Sequence, residues 1–431
     1  MRPARLLALE PVTAALLLAA QFAWLGSLPD WRAELARYQM AYLLAFATLA
    51  LARRARWASL PWAPGFVVVV ALALRAAVLP VTPTLSDDAY RYVWEGRVLG
   101  AGEDPYRHAP DDPRLARLRD REVFPHVNHP ELRAIYPPLS EAGFALVAAI
   151  RPDVVAMKLW VLLHDLALCA LLASWCARRG GSPWYAIAYA WNPLVVTEYA
   201  GSGHHDPVAI LWLVAALALA ERRPARPLAS ALAAAAGTLV KLMPLAAVPF
   251  LWRAWTTRAR IVAAALLAAG LGAYAWLALG PASGLAAFAE RWRHNDALFG
   301  PLARAFGDRG ARVAVFVTLL ALLAWGLRRG WDAATGTRRL LGAALLLGPV
   351  VHPWYVGWVL ALVPLAPSPA WVLLSCLATL SYGAFAPPPE GSSHHPPLAW
   401  RALEYGAPAL LAAALAWSRS RGRAGRVREA A

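Results

Sequence analysis

The hydrophobic positions of this chain fall in long blocks and do not alternate. Residues 6–25, 66–81, 154–177, 261–279 and 313–327 are nearly uninterrupted apolar runs, comparable with the ~20 residues a helix needs to cross a bilayer. Blocks at 186–199, 208–220, 340–350, 354–365, 371–385 and 403–417 extend the series, and 228–251 reads as an apolar pair broken by Pro244. No block has period two, so a membrane β-barrel is a poor reading. The pattern predicts an all-α polytopic membrane protein, one domain over residues 1–431, built as a bundle of about 11–13 transmembrane helices. The N-terminal run has a basic start but no small-residue cleavage pattern after it, which predicts a first membrane helix and not a removed signal peptide.

Charge sets the orientation of these blocks. The chain is 59% hydrophobic and 16% charged, with a net charge of +16. That excess would suit a nucleic-acid partner, but its distribution excludes one. Of the 42 basic residues only Lys158 and Lys241 are lysines, and many arginines gather between apolar blocks. Arg53, Arg54 and Arg56 form one cluster; Arg178 and Arg179, Arg222 to Arg226, Arg253 to Arg260, Arg328 to Arg339 and residues 419–428 supply the others. Such clusters hold short loops on the cytoplasmic side and face anionic headgroups. With Arg2 and Arg5 inside, Asp30, Asp87 and Asp88 fall outside, and every later cluster falls inside. The prediction is an inner-membrane protein with both termini cytoplasmic, membrane lipids as neighbours and no nucleic acid. Cys169, Cys176 and Cys376 all lie in apolar segments and give no disulfide framework.

The expected outer loop at 82–140 differs from the rest of the chain. Asp87, Asp88, Glu95, Glu103, Asp104, Asp111, Asp112, Asp120, Glu122 and Glu131 lie within it, and Glu141 stands at its edge. Helical spacing over 90–98, followed by Gly100, Gly102 and Pro105, predicts a short helix along the membrane surface. A second outer loop is expected at 281–309 and a third at 387–401.

The densest polar motif is Ser86-Asp87-Asp88-Ala89-Tyr90-Arg91-Tyr92-Val93-Trp94-Glu95-Gly96-Arg97. Adjacent carboxylates at a lipid–water boundary are costly unless solvated, paired or functional. Two readings fit the spacing. One carboxylate, held ionised by Arg91 or Arg97, accepts a proton from a sugar hydroxyl; or Ser86 or Asp87 is the N-cap of the following helix. Around Tyr106, His129 and Tyr136, prolines fix irregular backbone, either as loop scaffold or as polar edges for a substrate. Gly203-His204-His205-Asp206 contains metal-ligand types, but adjacent residues do not face one centre on a regular helix, so substrate or phosphate contacts are the better reading. Lys241 sits in a broken apolar segment, where a cation either meets a lipid-linked phosphate or snorkels to an interface. His352-Pro353-Trp354-Tyr355 is part of a site or of an aromatic belt; Arg291-Trp292-Arg293-His294-Asn295-Asp296 is similarly open.

In this order, on one topology, these motifs resemble the GT-C superfamily of membrane glycosyltransferases, most closely bacterial PIG-M-like, polyprenol-phosphate-mannose-dependent mannosyltransferases. The likeness rests on Asp87-Asp88-Ala89-Tyr90-Arg91-Tyr92, Trp94-Glu95-Gly96-Arg97, Asp104-Pro105-Tyr106, Ile135-Tyr136-Pro137-Pro138, Gly203-His204-His205-Asp206, Lys241 with Pro244, and His352-Pro353-Trp354-Tyr355. It implies transfer of a hexose, mannose by likeness, from a polyprenyl-phosphate sugar to an extracytoplasmic acceptor (a glycolipid, polysaccharide or protein), with inversion. It implies a catalytic carboxylate at Asp87 or Asp88, Asp87 preferred because the family's acidic motif begins at the first carboxylate. Substrate contacts are expected from Tyr90, Arg91, Glu95, Arg97, Tyr106, His129, Tyr136, His204, His205, Asp206, Lys241, His352, Trp354 and Tyr355. Among these, Lys241, Arg91, Arg97, His204 and His205 are the expected partners of the leaving phosphate. The plain Asp-Asp pair departs from Asp-X-Asp spacing, so no metal ligand is assigned; a divalent cation, Mg or Mn, is the one cofactor left open.

The competing reading is a transporter or flippase for a lipid-linked or small polar substrate, which would explain the membrane core and Lys241. The lack of an internal repeat and the acid concentrated in one loop weigh against it. A lipid-phosphate hydrolase using His204, His205 and His352 lacks the accompanying Arg/Ser pattern.

Overall fold

A computed structural model describes residues 4–53, 62–280, 282–385 and 396–429. Arg2, Arg54, Arg56 and residues 387–395 of the expected third outer loop lie outside the described residues. The helices follow the apolar blocks. α1 (Ala4–Ser27) and α2 (Leu35–Ala52) form a hairpin on which α3 (Ala63–Val78) packs. Tyr38, Tyr42 and Phe46 of α2 recur every four residues and are buried as one stripe.

The helix expected over 90–98 is α4 (Asp88–Gly100). The stretch expected as a loop to about residue 140 ends at α5 (Pro138–Ile150), a helix that no expectation included. At 13 residues α5 is too short to read as a crossing, and it earns its stability by packing on α4. A Cβ on Gly96 would stand 2.3 Å from the Phe144 carbonyl oxygen, so glycine lets the two backbones touch.

α6 (Val154–Arg178) is capped by Asp153, whose carboxylate accepts from the Ala156 amide at 2.8 Å. Midway along it Asp165 pairs with Arg75 of α3 at 2.6 Å, both fully buried. The same Arg75 donates to the Ala190 carbonyl at 2.7 Å, and the Tyr189 hydroxyl donates to Asp165 at 2.8 Å. Block 186–199 is not one helix. It is α7 (Ile187–Ala190), α8 (Pro193–Val195) and a π-turn (Val196–Gly201), broken where Asn192 precedes Pro193.

α9 (Asp206–Glu221) packs against α6 and α10 (Pro227–Val240). The break expected at Pro244 is present: α10 stops at Lys241, and the return runs through short turns and α11 (Val248–Leu251). α12 (Thr257–Ala278), α13 (Gly284–Arg291), α14 (Phe299–Arg328), α15 (Ala333–Leu347), α16 (Val356–Leu360), α17 (Pro369–Leu377) and α18 (Leu398–Glu429) complete the chain. α14 kinks at Gly307, where φ is 69°.

Among the described residues, α2, α6, α12 and α14 are individually long and apolar enough to cross a membrane, and shorter apolar helices surround them. Val313, Phe316, Val317 and Leu320 leave α14 apolar and exposed, as lipid contact requires. The large core joins α1–α3, α6, the broken stretch before α9, α9, α10 and α15–α17. The protein is an all-α polytopic membrane protein.

Candidate active site

The connections expected on the outer side converge on one cavity of about 660 Å³. Arg32 reaches it from the α1–α2 connection, residues 84–88 from α3–α4, and residues 128–137 from the stretch before α5. Lys241 to Met243 come from the end of α10, Trp292 and His294 from the stretch after α13, and residues 348–355 from α15–α16.

Asp87 and Asp88 line this cavity in unequal states. Asp87 occupies the N-cap position of α4, yet its side chain makes no capping hydrogen bond and is exposed. Asp88 is tied down: Asn128 Nδ2 donates to Oδ1 at 2.8 Å, the Tyr92 hydroxyl lies 3.4 Å from Oδ2, and His204 Nε2 lies 3.8 Å from Oδ2. Partial burial and the neighbouring charge of Asp88 push the Asp87 carboxyl above its ordinary value, against the pull of Arg32, His126 and His129.

Lys241 enters the cavity in an extended conformation at the end of α10. Its ammonium donates to Asp206 Oδ1 at 2.8 Å and stands 5.5 Å from the Tyr355 ring centre. Trp358 Nε1 donates to the same Asp206 oxygen at 2.6 Å. The lysine is therefore held at the cavity wall.

Four rings stack along one side. His294 lies 4.6 Å from His352, His352 4.2 Å from Trp354, and Trp354 3.7 Å from His204. The backbone of His294 is fastened to the α15 end, donating to Pro349 and accepting from Val351. His129, at φ 45°, meets Trp292 edge-on at 4.6 Å. A non-glycine residue at positive φ stores strain that the surrounding contacts must hold.

Of the expected site residues, Asp87, Asp88, Arg91, His129, Tyr136, Lys241, His352, Trp354 and Tyr355 reach the cavity. Tyr90, Glu95, Arg97, Tyr106, His204, His205 and Asp206 are not among its lining, and each is taken up elsewhere. Tyr90 packs on His126. Glu95 is buried against Arg91, whose guanidinium also holds the carbonyls of Asn128, His129 and Leu132. Arg97 is bound by Asp120 and the Pro152 carbonyl. Although burial opposes it, Asp120 titrates below its ordinary range because the Val123 amide and Arg97 hold its anion. Tyr106 donates to the Tyr136 carbonyl at 2.5 Å. His204, His205 and Asp206 are buried behind the wall; His205 sits among Tyr92, Tyr136 and Phe144.

Arg32, Trp292, His294, Tyr274 and Tyr382 also line the cavity and were not in the expected set. Trp292 and His294 belong to the loop motif already singled out. Arg32 had a signal too, being a basic residue in a connection expected outside. Among the described residues no three His, Cys, Asp or Glu side chains converge as a metal site.

The model of the Alpha-(1->6)-mannopyranosyltransferase N-terminal domain matches residues 8–257, and that of the MptB C-terminal domain matches residues 278–417. No curated protein and no solved structure matches the chain significantly. The cavity draws on both matched regions, with Asp87 and Lys241 in the first and His352 and Tyr355 in the second. With the first match alone spanning more than half of its length, the chain belongs to the alpha-(1->6)-mannopyranosyltransferase family and is a membrane mannosyltransferase.

Proposed function

We propose that this enzyme transfers mannose from a polyprenyl-phosphate donor to the hydroxyl of a glycolipid, polysaccharide or protein acceptor on the extracytoplasmic face of the inner membrane, with both termini in the cytoplasm. The observation that carries the reading is an exposed carboxylate, Asp87, and a wall-mounted lysine, Lys241, in one cavity. That the connections expected outside are the ones lining this cavity supports the orientation.

Asp87 takes the proton of the acceptor hydroxyl, and the freed oxygen attacks the anomeric carbon. The bond from that carbon to the phosphate oxygen breaks, and the lipid phosphate leaves with its electron pair. Lys241 faces the charge that develops there, with Asp206 fixing its ammonium before the reaction begins. Asp88, engaged by Asn128 and Tyr92, is poorly placed to attack the sugar and form a covalent intermediate. One displacement inverts the configuration. The raised Asp87 carboxyl suits a general base, which works best when its proton affinity approaches that of the medium.

The test is transfer from radiolabelled polyprenyl-phosphate mannose in membranes carrying the wild type, Asp87→Asn or Asp88→Asn. Asp87→Asn is expected to lose roughly 10²–10⁴-fold in kcat while still inserting, the range of a removed general base. Undiminished transfer by Asp87→Asn would remove it from that role.

A further inference from the structure

Behind the cavity wall lies a chain of buried polar groups that the reaction scheme leaves unused. Glu198, 1% exposed, lies in the π-turn before α9, and the fully buried His204 follows that turn. Single π-turns inside helical segments recur at functional sites, because the extra residue re-aims side chains. Here it delivers Glu198, whose Oε1 accepts from the Tyr382 hydroxyl at 2.6 Å. Gly203 then makes the turn toward α9 at φ 81°, and a Cβ there would stand 3.0 Å from Lys158 Cγ. Only glycine meets both conditions, so the backbone that places His204 is itself specified.

The two ring nitrogens of His204 face different partners. Nδ1 lies 3.1 Å from the Glu198 carbonyl oxygen and 3.4 Å from Glu198 Oε2. Both are acceptors, so Nδ1 carries a hydrogen, and Nε2 is the nitrogen left for the cavity side. Nε2 lies 3.0 Å from Ser86 Oγ and 3.8 Å from Asp88 Oδ2. Ser86 Oγ in turn lies 3.3 Å from the Asp88 amide, at the start of α4. The stack with Trp354 at 3.7 Å and 17° locks the ring plane, so Nε2 has one direction available.

We propose that His204 is a positioning residue for the transfer reaction: anchored through Nδ1 by Glu198, it uses Nε2 to fix the turn of Ser86, Asp87 and Asp88, keeping Asp88 tied down and Asp87 presented to the acceptor. This rests on the reading of Asp87 as the base. It gives the family chemistry a second layer, in which His204 touches no substrate and acts through the carboxylates.

The test separates the two nitrogens. Glutamine places a polar atom near the Nε2 position, whereas asparagine places one near Nδ1. Transfer kinetics are measured with polyprenyl-phosphate mannose, with insertion and melting temperature in detergent recorded for each variant. His204→Gln is expected to keep kcat within about threefold of wild type, while His204→Asn loses about 30-fold, donor KM staying within about threefold in both. His204→Phe keeps the ring stack but neither nitrogen, and is expected to behave as His204→Asn. Equal kcat across the three variants, whether high or low, overturns the proposal, because stacking or volume would then be all that matters. Should the His204 variants fail to insert, Ser86→Ala decides: a loss of about tenfold in kcat at unchanged KM supports the role, and unchanged kcat removes it. Asp87→Asn in the same assay keeps the two readings apart. If it is active, the base assignment has failed; if it is inactive beside a fully active His204→Asn, only the positioning role has failed.

Discussion

Asp87 and Asp88 are neighbours in sequence and opposites in environment. Asp88 is held by Asn128, Tyr92 and the His204 side of the wall, whereas Asp87 faces the cavity with a carboxyl pushed upward by burial and by Asp88 itself. The pH dependence follows. With Asp87 as the proposed base its ionised form is the active one, so the acidic limb of the kcat/KM profile is expected above the 3.8 of an ordinary aspartate. Asp88→Asn deletes a negative neighbour, so Asp87 loses its proton more readily and that limb moves to lower pH; an upward move in the measured profile would contradict the assignment. Trp354 offers a second lesson at this scale. Both of its faces are covered, by His352 and by His204, so the indole braces the wall and has no free face for a sugar ring.

Among the elements, α4 starts at the acidic pair, and Arg91 shows how the helix is anchored. It is buried on α4, paired with Glu95 at 2.6 Å, and its remaining donors hold three carbonyls of the 128–132 stretch. One of those carbonyls belongs to Asn128, the residue that bonds Asp88. Arg91→Lys keeps the charge but cannot span the same acceptors, and should cost about 1–3 kcal/mol, read as a lower melting temperature in detergent. An unchanged melting temperature would mean the loop is held by other contacts.

The apolar blocks made most of the bundle legible, because crossing a bilayer demands long uniform runs whose signal survives without tertiary information. Two elements escaped for physical reasons. α5 is apolar but short, and depends on α4 through the Gly96 contact, a long-range fact absent from its own residues. Block 186–199 looked like one span, yet Asn192 and Pro193 break it and tertiary packing supports a π-turn around Glu198. Of the expected site residues, those where a motif combined charge with position, Asp87, Asp88 and Lys241, reach the cavity. Arg97, His204 and His205 lie outside the cavity lining, a placement set by long-range packing that residue type alone does not reveal.

At the scale of the whole molecule, the buried pair of Arg75 and Asp165 ties α3, α6 and the broken stretch together inside the bundle. Asp165→Ala leaves a buried guanidinium without its counter-charge and should cost about 3–5 kcal/mol, whereas Arg75→Met with Asp165→Leu should recover most of it. Denaturation midpoints of the two variants compare directly, and an equal loss in both would show that shape and not charge balance is at stake.

The cavity, too, belongs to the molecule as a whole, since its wall is drawn from the stretches on both sides of α12. The first stretch alone brings the acid and the cation; the second closes the space around them. Their separation gives the closing half a duty that its own residues do not advertise, namely deciding which hydroxyl is allowed to react. An activated sugar beside a competent base does not distinguish an acceptor from water unless water is kept out. On the proposed mechanism, damage in the stretch that carries Trp292, His294 and His352 would thus waste donor by hydrolysis: the sugar goes to water and the acceptor is left unmodified.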